Sequence, residues 1–180
     1  MNKKKSPVIA SLVFILLGHA AWGNHAYAME PYWYGAAGVA GAETTASAYD
    51  DTSSISLHIG NRVNPTTAVE FGYVDIDEFD FGNFADSYVK ISGLDISVLW
   101  YLPVGQSVNL YSRVGFFLWE FDSFVFGTRI SDEEDDSLLF GLGVDLSLGE
   151  NLGTRLEWTK YFDIANENVY TLGLELYVNF

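Results

Sequence analysis

The sequence predicts an all-β chain, an eight-stranded antiparallel up-and-down transmembrane β-barrel. Three observations lead there. Apolar residues recur with period two and without a convincing 3.6-residue period. About eight such segments, each of roughly ten residues, follow one another along the chain, enough to close a sheet whose interior side chains can fill. The connections alternate between tight turns and long polar loops, as in a barrel inserted from one side.

The first 28 residues stand apart. Lys3, Lys4 and Lys5 form a basic start, Val8 to Leu17 an apolar run, and Ala26-Tyr27-Ala28 a small-x-small cleavage pattern. Residues 1–28 are therefore expected to be a secretory signal peptide, because the run is shorter than the roughly 20 residues a spanning helix needs. Residues 29–180 are expected to be the barrel.

Strands follow in order. The first three are placed near Tyr32–Ala42, Ser53–Asn61 and Thr67–Ile76. In the fourth, Ile96, Val98, Trp100 and Leu102 oppose Asp95, Ser97, Leu99 and Tyr101. In the fifth, Leu110, Val114, Phe116 and Leu118 oppose Tyr111, Arg113, Gly115 and Phe117. The sixth runs from Leu138 to Leu148 with Gly141, Gly143 and Asp145 on its other face, and the seventh lies near Leu152–Ile164. In the eighth, Tyr170, Leu172, Leu174, Leu176, Val178 and Phe180 alternate with Thr171, Gly173, Glu175, Tyr177 and Asn179. Asn61–Thr66, Pro103–Ser107 and Gly149–Asn151 read as tight turns, and Ala42–Thr52, Asp77–Ser87 and Asp122–Asp136 as long polar loops.

Alternation alone does not say which face is outside, and a soluble lipocalin-like barrel would turn its apolar face inward. The mixed face argues against that, because Gly, Ser and Thr with a few charges of both signs make a poor solvated exterior and a suitable narrow lumen. Aromatic residues gather near strand ends, at Trp33-Tyr34, Trp100-Tyr101, Trp119 and Phe121, Tyr161-Phe162, and Tyr177 and Phe180, as two interfacial girdles would require. The expected location is the bacterial outer membrane.

Composition narrows function. Nine Lys+Arg stand against 24 Asp+Glu, a formal charge of −15, and losing the signal would leave six basic residues and a charge of −18. No nucleic acid is expected as partner, since phosphate contacts need a basic face. The absence of cysteine excludes disulfides, thiolate metal sites and cysteine nucleophiles.

Several stretches together resemble the transmembrane domain of OmpA-like outer-membrane proteins. They are Trp33-Tyr34, Val63-Asn64-Pro65, Val69-Glu70-Phe71-Gly72-Tyr73, Leu102-Pro103, Tyr111-Ser112-Arg113-Val114-Gly115 through Trp119, Thr154-Arg155-Leu156-Glu157, and Leu172-Gly173 through Phe180. The resemblance implies insertion by the barrel assembly machinery, with Phe180 as the assembly signal. It also implies a barrel without the peptidoglycan-binding domain of longer members, and a lumenal network in which some members gate a small pore. Glu70 and Arg155 match the main pair of that gate and Asp145 an alternative carboxylate, whereas Leu99 occupies the place of the alternative basic partner.

Read from its residues, the mixed face carries Glu70, Asp95, Arg113, Asp145, Arg155, Glu157 and Glu175, with His58 on the second strand. Unpaired charge in a narrow lumen is costly, so Arg113 and Arg155 are expected to bridge several carboxylates. A polar plugged lumen with a structural and surface-interaction role is the expected function, and a low-conductance pore is the alternative. A lipid A-modifying enzyme would need a Ser beside a His. Only Ser56-x-His58 offers that, pointing into the lumen, so no catalysis is expected.

Half of the acids fall in or beside two loops: Asp75, Asp77, Glu78, Asp80 and Asp86, then Glu120, Asp122, Asp132, Glu133, Glu134, Asp135 and Asp136. Neither stretch has calcium-loop spacing, so no metal or cofactor is expected. Phe79, Phe81, Phe84, Phe124, Val125 and Phe126 interleave with the acids, as adhesive surface for a host or other surface ligand, packed on one another, or dipping into the membrane interface. Lys90, Arg129 and Lys160 are the expected contacts to outer-membrane lipid and lipopolysaccharide, and a monomer is the expected state.

Overall fold

The computed structural model describes residues 30–46, 50–80, 87–126 and 128–180, so the expected signal peptide lies outside the described residues. Eight strands follow in order: β1 (Tyr32–Thr44), β2 (Thr52–Asn64), β3 (Thr67–Asp80), β4 (Ser87–Pro103), β5 (Val108–Val125), β6 (Thr128–Ser147), β7 (Leu152–Ile164) and β8 (Glu167–Asn179). They form one closed antiparallel barrel in sequence order. Closure comes from β1 on β8, paired from Tyr34 opposite Asn179 to Thr44 opposite Val169. Beyond the strand end, Phe180 and Trp33 exchange two more backbone hydrogen bonds of 2.8 and 3.2 Å. A barrel has no edge strands, so every ladder is satisfied where water is absent.

The three turns expected at one end are present. Asn64 Oδ1 accepts from the Thr66 N–H and hydroxyl at 2.9 and 3.0 Å, holding the Pro65-Thr66 turn. At the next, the Val104 and Gly105 N–H groups both donate to the Val108 carbonyl, and at the third Leu148 N–H donates to the Leu152 carbonyl at 2.9 Å. At the opposite end β7 and β8 join through Ala165 and Asn166, both in the left-handed region at φ 50° and 70°.

Two expected loops differ from expectation. Asp122–Asp136 is a hairpin, in which β5 and β6 stay paired from Leu118 opposite Asp136 to Val125 opposite Thr128. Alternating Phe121, Ser123 and Val125 suit a strand, and the ladder satisfies the backbone as well above the membrane as within it. The acids mask this, because they read as a solvated loop. Register sets Glu120 opposite Glu134 and Asp122 opposite Asp132. Glu120 and Glu134 placed in this way repel, and Arg129 relieves the acidic face by reaching both Glu120, at 2.7 Å, and Asp122. In the stretch 77–87, β3 continues to Asp80 and Phe79 is buried inside the barrel. Phe81, Phe84 and Asp86 lie outside the described residues.

The apolar strand faces point outward along the whole wall, for example Leu57, Leu138, Leu142, Leu156, Leu172 and Leu174, all about half exposed. The aromatic pairs divide between the two faces, which corrects part of the girdle expectation. Trp33, Phe162 and Phe180 face out, while Tyr34, Tyr101, Trp119, Tyr161 and Tyr177 are buried inside and Phe121 packs against the interior cluster. Neighbours on a strand must point to opposite faces, so an adjacent aromatic pair contributes only one ring to a girdle, whereas Trp119 and Phe121, two residues apart, share the inward face.

Candidate functional site: the barrel interior

Inward-facing side chains form three layers. Next to the turn end lies a tyrosine layer of Tyr34, Tyr101, Tyr111 and Tyr177 with Ala36, Ala68 and Leu99. Next to the hairpin end lies an apolar layer that includes Ile76, Phe79, Val89, Ile91, Phe117, Leu139, Ile164 and Val169. Between them sit the charged residues. The lumen expected from the sequence to be polar is thus apolar toward the hairpin end, because Ile76, Phe117 and Leu139 share the inward parity with the charges.

Glu70 is the hub of the middle layer and is fully buried. Its Oε1 accepts from the Tyr34 hydroxyl at 2.5 Å and from Arg155 Nη1, and its Oε2 accepts from Arg113 Nη2 at 2.5 Å. Arg113 also places Nε 3.2 Å from Glu157 Oε1 and Nη1 3.6 Å from Asp95 Oδ2. Arg155 Nη2 lies 2.6 Å from Glu175 Oε2. Below Arg155, its Cζ stands 5.5, 5.9 and 5.7 Å from the rings of Tyr34, Tyr111 and Tyr177, so the tyrosine layer is an aromatic floor for the guanidinium.

Hydroxyl groups and an imidazole complete the set. Glu157 accepts from the Tyr111 hydroxyl at 2.5 Å and from Thr159 Oγ1 at 2.6 Å. His58 sets Nε2 3.1 Å from Asp95 Oδ2 and Nδ1 3.0 Å from Glu175 Oε1. Gly72 makes room for that imidazole, since a Cβ there would meet His58 Cδ2 at 2.1 Å. Ser56 Oγ donates to Glu175 Oε1 at 3.0 Å, so each nitrogen of His58 faces a carboxylate and the Ser56 hydroxyl is directed to Glu175.

Six of the seven residues assigned to the network from sequence thus meet: Glu70, Asp95, Arg113, Arg155, Glu157 and Glu175. Asp145 stands apart. Its backbone is paired opposite Arg155, yet its carboxylate accepts from Asn109 Nδ2 at 3.0 Å, directly across the β5–β6 ladder. Leu99 is inward-facing and fully buried in the tyrosine layer, so an alkyl chain fills the place where a second basic partner would stand. The donors Tyr34, Tyr111, Ser56 and Thr159 are additional members. Their inward parity was available from the sequence, whereas their distances were not.

At the turn end the barrel opens into a cavity of about 700 Å³, lined by Tyr32, Arg62, Asn109, Asp145, Tyr177 and Asn179 among others. Arg62 stacks its guanidinium 3.4 Å from the Tyr101 ring centroid and donates to the Pro65 carbonyl at 2.6 Å. A void of about 10 Å³ continues from there toward Arg155.

The other sequence-assigned residues lie on the outer wall. Lys90 Nζ is 3.5 Å from Asp75 Oδ1, and Arg129 holds Glu120 and Asp122. Lys160 rests over the rings of Phe162 and Tyr170, at 4.4 and 5.3 Å. Phe180 faces outward and is largely exposed.

Comparison with known proteins agrees with this architecture. The chain matches the OmpA-like transmembrane domain over residues 18–175. It is 25% identical to outer membrane protein A of Serratia marcescens over 124 residues, 66% of this chain and 34% of that protein. It is 28% identical to outer membrane protein A of Klebsiella pneumoniae over 105 residues, 55% of this chain and 30% of that one. The chain thus spans about a third of the length of these relatives. In fold it is similar to Neisserial surface protein A (TM-score 0.66, 16% identity, 82% of this chain and 97% of that one). It is also similar to the attachment invasion locus protein Ail of Yersinia pestis (TM-score 0.63, 17% identity, 84% of this chain and all of that one). A closed eight-stranded wall with an apolar exterior, an interior ion-pair cluster and this match place the chain in the bacterial outer membrane, as a member of the OmpA-like transmembrane domain family.

Proposed function

We propose that this barrel is a closed, non-catalytic scaffold whose wall anchors it in the outer membrane and whose acidic hairpin meets external partners. The observation that carries this reading is the layering of the interior. An ion entering from the 700 Å³ cavity would have to pass the tyrosine layer, break the Glu70–Arg113–Arg155 cluster and cross the apolar layer of Phe117 and Leu139. Each step removes hydration without replacing it. In planar bilayers the wild-type barrel and Arg155→Ala are both expected to stay silent, because the apolar layer is intact in each. Discrete openings in the wild type would favour the low-conductance pore instead.

The absence of catalysis is proposed on the geometry around His58. A serine nucleophile needs a base within hydrogen-bond reach, and Ser56 donates instead to Glu175. Replacing His58 by Phe is expected to leave the lipid A acylation pattern of the host membrane unchanged.

The hairpin carries exposed Phe126 and Ile130 near its tip and Glu133, Glu134, Asp135 and Asp136 along its shaft. Ail has been crystallised with the heparin analogue sucrose octasulfate. An acidic hairpin repels such a polyanion, so we propose cationic protein surfaces as its partners. Phe180, facing lipid beside the closing strand pair, remains the proposed assembly signal.

A further inference from the structure

We propose that Lys160 forms a site for the phosphate of an outer-leaflet lipid, with Phe162 and Tyr170 as its walls. The proposal rests on the outer-membrane placement of the barrel and adds a defined lipid contact to it.

Six basic residues follow the signal segment, and the structure accounts for five of them. Arg113 and Arg155 belong to the interior cluster, and Arg62 is held by Tyr101 and the Pro65 carbonyl. On the outer wall Lys90 is paired with Asp75, and Arg129 with Glu120 and Asp122. Among the described residues Lys160 is the one outward-facing cation with no carboxylate within ion-pair distance. Its partners are π faces, Phe162 at 4.4 Å and Tyr170 at 5.3 Å, with Trp158 stacked on Tyr170 at 6.0 Å between centroids.

Height decides what such a cation meets. Leu152, at the turn end of β7, and Lys160 share the outward face eight residues apart. At a rise of about 3.3 Å per residue and a tilt of about 40°, that is roughly 20 Å along the barrel axis, against an apolar band of about 25 Å. On the adjacent strand Phe140 is paired opposite Lys160, Leu138 ends the apolar run, and Asp136 begins the acidic one. Lys160 therefore lies a few ångströms inside the hydrocarbon border, within reach of the headgroup level once its stem extends. Phosphate is the anion lipids carry at that level. The rings shield the cation from water and hold it against the wall without neutralising it, which leaves a positive point beneath an otherwise negative rim.

The test uses the refolded barrel in detergent, titrated with phosphatidylglycerol, phosphatidylcholine or lipid A and read by native mass spectrometry. Lys160→Gln, Lys160→Arg and Lys90→Gln are compared with the wild type. Retention of an anionic lipid is expected to fall about fivefold in Lys160→Gln and to stay unchanged in the other two variants. Loss of both anionic lipids in Lys160→Gln would mean that the phosphate of any lipid with net negative charge is recognised, and loss of lipid A alone would assign the site to a glycolipid phosphate. Equal retention by wild type and Lys160→Gln, or no preference of the wild type over phosphatidylcholine, overturns the site. Heat-modifiable gel mobility of each variant reports insertion-competent folding separately, so a failed barrel is not confused with a failed site.

Discussion

Replacing Arg113 by Met removes one of the two guanidiniums that hold four interior carboxylates, while keeping most of the side-chain volume. Four contacts are lost at once: Glu70 at 2.5 Å, Glu157 at 3.2 Å, His58 Nε2 at 3.2 Å and Asp95 at 3.6 Å. Glu70 would keep Arg155 and Tyr34, and Asp95 would keep His58, but Glu157 would retain only the neutral hydroxyls of Tyr111 and Thr159. Removing one partner from a buried ion pair costs about 3–5 kcal/mol, because the remaining charge has neither water nor counter-charge. Converted at 1.4 kcal/mol per decade, the unfolded fraction should rise by about two to three and a half orders of magnitude. Urea unfolding of the vesicle-inserted barrel, followed by tryptophan emission, measures this directly. Glu157→Gln in the same assay should cost less, about 1–3 kcal/mol, since Arg113 keeps Glu70 and Asp95 and no carboxylate is stranded. A loss below 1 kcal/mol for Arg113→Met, or a larger loss for Glu157→Gln, would refute the reasoning that cations are the limiting members of the network.

Other consequences follow from single contacts. Phe117 is fully buried in the apolar layer, so Phe117→Ala should cost about 3–5 kcal/mol in the same unfolding assay. Ala165 sits at φ 50°, where an L-residue costs roughly 1–2 kcal/mol and Asn is tolerated better; Ala165→Asn should raise the unfolding midpoint and Ala165→Val lower it. Arg129→Gln leaves Glu120 opposite Glu134 without that cation, so amide exchange along the hairpin should accelerate, and the acceleration should shrink in high salt.

The sequence by itself determined the barrel. Period-two alternation assigns each residue to a face, and once the apolar face is outward, the interior position of Glu70, Asp95, Arg113, Arg155, Glu157 and Glu175 follows from parity alone. Parity also contained the inward tyrosines, although adjacent aromatic pairs read together as girdles. What only the tertiary structure decided is the height and reach of each side chain. Strand tilt and register choose which inward groups share a layer. That is why Asp145, opposite Arg155 along the ladder, turns to Asn109, while Arg113 on β5 reaches Glu70 on β3 across the lumen. Register likewise decided that the acidic stretch 122–136 is a hairpin held by Arg129, because backbone pairing is a property of two segments and no single segment carries it. The same reason left Lys160 as the outer-wall cation without a carboxylate: Lys90 meets Asp75 across one ladder and Arg129 reaches Glu120 and Asp122 across another, while its own neighbours offer only rings.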